Sequence, residues 1–82
     1  MIKNEEIKTL IVQGISGAEV IINGDGYHYV ITVISDLFID VSRINRQKMV
    51  YKTLGEKIKS GELHAMTIKT YAAKDWEEKQ DG

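Results

Sequence analysis

The chain has 82 residues, no cysteine, no proline and a net charge of -1, which allows a single domain spanning 1–82 and no more. An apolar fraction of 43% and a charged fraction of 28% fall in the ordinary globular range, so a disordered chain is not expected. Without cysteine there is no disulfide framework, no thiol nucleophile and no all-cysteine metal or cluster site, and the near-neutral charge gives no global pull toward nucleic acid.

The polar, acidic start Met1-Ile2-Lys3-Asn4-Glu5-Glu6 is unlike a secretory signal. No apolar run approaches the roughly 20 residues needed to cross a bilayer. A cytosolic protein with no membrane partner is the expectation. Asn4 to Gln13 then reads as a helix, with Asn4 as its cap, Glu5 and Glu6 at the positive end of its dipole, and Gly14 as its stop. Ile7, Leu10 and Ile11 share one face at helical spacing, and Ile15 extends the series just past the end. Gly14-Ile15-Ser16-Gly17 spells GxxG, the loop of nucleic-acid-binding KH domains. Those loops join two helices, whereas this one joins a helix to a strand, so it reads as a stop and turn.

Ala18 to Asn23 and Tyr27 to Ile34 are rich in β-branched and aromatic residues, as strands are. Gly24-Asp25-Gly26 between them predicts a hairpin turn. In the second strand Tyr27, Tyr29, Ile31 and Val33 share one face, and His28, Val30, Thr32 and Ile34 the other. Ser42 caps a longer helix running to about Ser60, with Gly61 behind it. Ile44, Val50, Tyr51, Leu54 and Ile58 form its apolar stripe, interrupted by Gln47. Gly55 weakens the middle by roughly 1 kcal/mol relative to alanine, enough to suggest a break there. Arg43, Arg46, Lys48, Lys52, Lys57 and Lys59 face a lone Glu56 along this helix. His64 to Tyr71 is a third strand, and a short helix anchored by Trp76 closes the chain. A strand, a helix and a strand in succession favour a crossover to a parallel neighbour. The expected fold is α+β, in the order αββαβα, with helices covering one face of a three-stranded mixed sheet.

Several of these segments resemble one family. Val33-Ile34-Ser35-Asp36-Leu37-Phe38, then Ser42-Arg43-Ile44-Asn45-Arg46-Gln47-Lys48-Met49-Val50-Tyr51 with Leu54, and Leu63-His64-Ala65-Met66-Thr67-Ile68-Lys69-Thr70-Tyr71 with Trp76 are similar to the signature of the BolA family. Gly24-Asp25-Gly26-Tyr27-His28-Tyr29 looks like its IbaG branch in particular. The resemblance covers nearly the whole chain. It implies a fold similar to the class II KH arrangement and a non-enzymatic, adaptor-like role. It further implies pairing with a monothiol glutaredoxin around a shared [2Fe-2S] cluster, in iron-sulfur trafficking or iron homeostasis. Some family members are described as DNA-binding regulators.

Three departures stand out. The family's Arg-His-Arg is here Arg46-Gln47-Lys48, a common glycine is Asp40, and the Thr-Pro that opens the last helix is Ala72-Ala73. The last change removes a cap worth about 1 kcal/mol.

On that resemblance His64 is the cluster ligand and His28 the second, each of which would otherwise be an ordinary surface or hydrogen-bonded residue. Neutral imidazole is the ligating form, so the cluster becomes harder to hold as pH falls. Histidine ligation of one iron has a precedent in Rieske centres. Two histidines cannot complete a cluster unaided, so thiolates must come from outside the chain, and the resemblance implies that a monothiol glutaredoxin with its bound glutathione supplies them. Alone, the chain is expected to carry no cofactor and to be a monomer or weak homodimer. The alternative is a DNA-binding regulator presenting Arg43, Arg46, Lys48 and Lys52 to phosphates, with salt-sensitive affinity. An enzyme is the weakest reading, because no triad, phosphate loop or HExxH is present.

Overall fold

The computed structural model describes residues 2–24 and 27–81. Its elements are α1 (Asn4–Gly14), β1 (Glu19–Gly24), β2 (Tyr29–Ile34), α2 (Arg43–Ser60), β3 (Met66–Tyr71) and α3 (Ala73–Asp81). A 3-10 turn at Asp36–Phe38 joins β2 to α2. The sheet runs in the order β1-β2-β3, with β1 antiparallel and β3 parallel to β2. Parallel neighbours need a long crossover, and α2 supplies it. The hairpin register holds from Glu19↔Ile34 to Gly24↔Tyr29, while its tip, Asp25-Gly26, lies outside the described residues.

Strand alternation decides where the core sits. Ile31 stands opposite Ile22 on one side and Ile68 on the other. Ile31 and Val33 are fully buried beneath Ile7 and Ile11 of α1 and Val50 and Leu54 of α2. Burying each such side chain contributes about 1.5–3 kcal/mol. Connecting segments add Ile15, Phe38 and Leu63 to the same cluster. Thr32 and Ile34, on the opposite side of β2, are buried too. Tyr71 is the ladder partner of Ile34, and Trp76 of α3 packs on its ring, 5.2 Å between centroids.

Local details depart from expectation for identifiable reasons. The cap of α1 is Lys3, not Asn4, and no side chain bonds there. Ile2 is buried, and the Tyr29 hydroxyl donates to its carbonyl at 2.8 Å. The chain is thereby fixed one residue earlier, with the N–H groups of Glu6 and Ile7 donating to the Lys3 carbonyl. Gly14 belongs to α1, and a Cβ there would strike the Thr53 side chain of α2. Its lack of a side chain is what lets the two helices meet.

Helix α2 runs unbroken through Gly55, whose missing Cβ would project into open space. Ile44 and Tyr51 lie outside the buried stripe, 69% and 42% exposed. Seven residues apart, they share a face with each other, but at 100° per residue that face is turned well away from Val50. Asp40, at the position where a glycine is common, has φ 63°. That left-handed conformation is one that aspartate visits more readily than most residues.

Candidate functional site

The turn between α2 and β3 is held by a dense set of short-range bonds. Gly61 ends α2 with φ 84°, a conformation that costs glycine nothing, and its N–H donates to the Ile58 carbonyl. The Lys57 carbonyl accepts from the N–H of Leu63 at 3.1 Å and from the Ser60 hydroxyl at 3.0 Å. The Lys57 ammonium bridges Glu6 of α1 at 2.9 Å and Glu62 at 3.5 Å. The hydrogen bond to Glu6 is the chief reason its pKa lies above the usual lysine value. Leu63 is fully buried and anchors the turn in the core.

His64 follows directly and is exposed. It precedes β3 instead of starting it, because the first carbonyl to enter the ladder is that of Ala65, which accepts from the Tyr29 N–H. Its Nδ1 lies 3.2 Å from the Gly61 carbonyl. A carbonyl can only accept, so Nδ1 carries the proton, and in the neutral ring Nε2 carries the lone pair. Such a backbone bond on one ring nitrogen is the usual way a ligating histidine is oriented.

His28 immediately precedes β2, and its Nε2 stands 3.0 Å from the Thr67 hydroxyl. Because β2 and β3 are parallel, with Tyr29 opposite Met66, the topology brings both histidines to the same end of the sheet. Among the described residues no group of three or more His, Cys, Asp or Glu stands together to hold a metal ion. His28 and His64 are the two imidazoles at this end of the sheet, and the chain holds no cysteine thiolate. Imidazole nitrogen is a donor that cluster iron can accept.

The basic residues of α2 are not brought together in the same way. Arg46 Nε donates to the Val41 carbonyl at 2.8 Å, and its guanidinium lies 5.7 Å from the centre of the Phe38 ring. It ties down the loop ahead of the helix. Arg43, Lys48 and Lys52 are exposed. Lys48 and Lys52 are one turn apart, but Arg43 and Lys48 project about 140° apart around the helix. Gln47 turns toward the sheet, where its amide nitrogen donates to the Ile68 carbonyl at 2.7 Å. The sequence signalled this residue only as a polar interruption in an apolar stripe.

An αββαβα domain with a long crossover helix and a capped turn that presents one imidazole at the sheet's end defines a class of small α+β proteins. A BolA homologue from Coxiella burnetii has the same fold: TM-score 0.82, 33% identity, covering 94% of this chain and 99% of that one. The acid stress protein IbaG of Escherichia coli K12 is 35% identical over 74 residues, 90% of this chain and 88% of IbaG. The DNA-binding transcriptional regulator BolA of the same organism is 38% identical over 58 residues, 71% of this chain and 54% of that protein. The family model described as BolA-like protein matches residues 6–75. This chain belongs to the BolA family.

Proposed function

We propose that the protein is an adaptor that pairs with a monothiol glutaredoxin around a shared [2Fe-2S] cluster. His64 is one ligand, His28 the second, and the glutaredoxin with its glutathione supplies the thiolates. The observation that carries this reading is the bond between His64 Nδ1 and the Gly61 carbonyl, which leaves Nε2 as the ligating nitrogen of an exposed ring. Family membership and the lack of cysteine support it. The role is binding and not catalysis, and it is set in the cytosol.

The chain's own contribution is positional. Leu63 anchors the turn, Gly61 and Lys57 fix its backbone, and the bond from Nδ1 to the Gly61 carbonyl orients the His64 ring. His28 is held against Thr67, so it must give up or share that contact to bind iron through Nε2. That difference makes His64 the more important ligand.

Anaerobic reconstitution of the protein mixed with a monothiol glutaredoxin, glutathione, iron and sulfide tests the reading. A mixed complex should elute as one species, with visible absorption and circular dichroism distinct from the glutaredoxin homodimer. If only the homodimer spectrum appears at every mixing ratio, the adaptor reading fails.

The second reading is DNA binding, favoured by the likeness to the Escherichia coli regulator. It loses ground because Arg46 is occupied within the loop and the other bases diverge around α2. A low-salt fluorescence titration with duplex DNA should detect weak, steeply salt-dependent binding on this reading. Unchanged binding after charge reversal at Arg43 would remove it.

A further inference from the structure

Strand β3 is at the edge of the sheet, with β2 on one side and no strand on the other. Parallel pairing uses the odd-numbered residues of β3: the carbonyls of Ala65 and Tyr71 accept from Tyr29 and Ser35. The N–H and C=O groups of Met66, Ile68 and Thr70 therefore point away from β2. At Ile68 the side-chain amide of Gln47 supplies the donor that a neighbouring strand would otherwise bring. At Thr70 no hydrogen bond from another part of the chain is present among the described residues. An edge with open backbone groups is a template for another strand.

This stretch of edge opens into a groove of about 450 Å³ between α2 and α3, lined by Thr70 and Tyr71, by Arg43 and Gln47, and by Lys69 and Lys79. Three of those side chains are cations and none is an acid. Lys79 is held 5.5 Å from the centre of the Tyr71 ring. The protein's ion pairs among the described residues involve only Lys57, so Arg43, Lys69 and Lys79 have no acidic partner there. The groove follows the second half of β3, toward Tyr71, whereas His64 lies before the strand begins.

We propose that the Thr70 edge of β3 binds a short, extended acidic peptide segment, which pairs with the Thr70 backbone and sets carboxylates against Arg43, Lys69 and Lys79. Adding a strand to an open edge draws affinity from main-chain hydrogen bonds, and side chains decide which sequence is accepted. Gln47 limits the pairing, since it already occupies the carbonyl one step back along the edge. The segment is accordingly short and the binding weak. Like charge along the rim disfavours basic segments and gives the selectivity.

The test is an NMR titration of the full ¹⁵N-labelled chain at low salt with an acetylated, amidated pentapeptide alternating valine and glutamate. Its lysine counterpart and sodium glutarate are run in parallel. The glutamate peptide should shift the amides of Ile68, Thr70 and Tyr71 and slow hydrogen exchange at Thr70. The lysine peptide should do neither, and Arg43→Glu with Lys79→Glu should weaken the effect about tenfold. Thr70→Pro removes the outward donor without breaking the ladder to β2 and should abolish the shifts at Ile68 and Tyr71. If that variant does not fold, the charge reversal and the Thr70 exchange rate in the wild type still decide. The proposal is overturned if glutarate alone reproduces the shifts, if both peptides perturb α2 alike, or if Thr70 exchange is unchanged at saturation.

Discussion

At the start of the parallel pair β2–β3, a buried leucine and a run of backbone hydrogen bonds place one imidazole with its tautomer chosen; at the other end, three cations line an edge that a single amide partly closes. The first region is rigid because nearly every polar group around it is satisfied within the turn. The second is open because the sheet stops there. A ligand needing exact direction, such as iron, suits the first, and a partner bringing its own backbone suits the second. Pre-organisation is what separates them, since both lie along the same parallel pair of strands.

The contrast breaks most visibly if the anchor is removed. Leu63→Ala should destabilise the fold by about 2–5 kcal/mol, read as a lower urea midpoint, and should loosen the His64 turn more than the Thr70 edge by hydrogen exchange. Equal loosening at both ends would mean the turn is not separately anchored. Gly14→Ala comes next. A methyl group there meets Thr53 on α2, and overpacking of this kind costs about 1–3 kcal/mol. The loss should spread over the α1–α2 contact, which supports the turn through Glu6 and Lys57, and leave the order of the two ends unchanged.

A smaller change runs in the other direction. Gly55 is exposed in the middle of α2 with nothing near its missing Cβ, so Gly55→Ala should stabilise by about 1 kcal/mol. A loss of stability on thermal melting would contradict the open space seen around the missing Cβ. The smallest effect concerns the Lys57 bridge. Its pKa is raised in the fold by Glu6, so its stabilisation is fully present below the unfolded lysine pKa and disappears as pH rises through the folded one. Lys57→Met should therefore remove a slight loss of stability seen in the wild type above about pH 10. The pair is at the surface, so the effect should shrink in salt.

Most of this architecture was legible from periodicity. Alternation along Tyr27–Ile34 set Ile31 and Val33 on one face, Ser42 and Gly61 marked the bounds of α2, and the family resemblance at Leu63-His64-Ala65 singled out His64. What stayed hidden depends on residues far apart in sequence. The grip of Tyr29 on the Ile2 carbonyl moved the cap of α1 from Asn4 to Lys3, and no local pattern encodes it. Gln47 looked like a flaw in a stripe until β3 lay beside it with the Ile68 carbonyl facing out. Ile44 and Tyr51 match an apolar stripe by spacing, but only the position of the sheet tells which face of an 18-residue helix is covered. The bases of α2 look like one patch in sequence for the same reason, and the helix spreads them apart.

The central claim, that His64 supplies a nitrogen ligand to a shared cluster, is tested most directly by pulsed electron paramagnetic resonance. The mixed complex is prepared with ¹⁵N-histidine in this chain alone, and its cluster is reduced. A ¹⁵N coupling of directly ligated strength from each of the two histidines should appear in the wild type and persist in Thr67→Val, and in His64→Ala the His64 component should be lost or the cluster should become labile. A reduced cluster in the wild-type complex with no strongly coupled ¹⁵N, or both couplings retained in His64→Ala, would contradict the account.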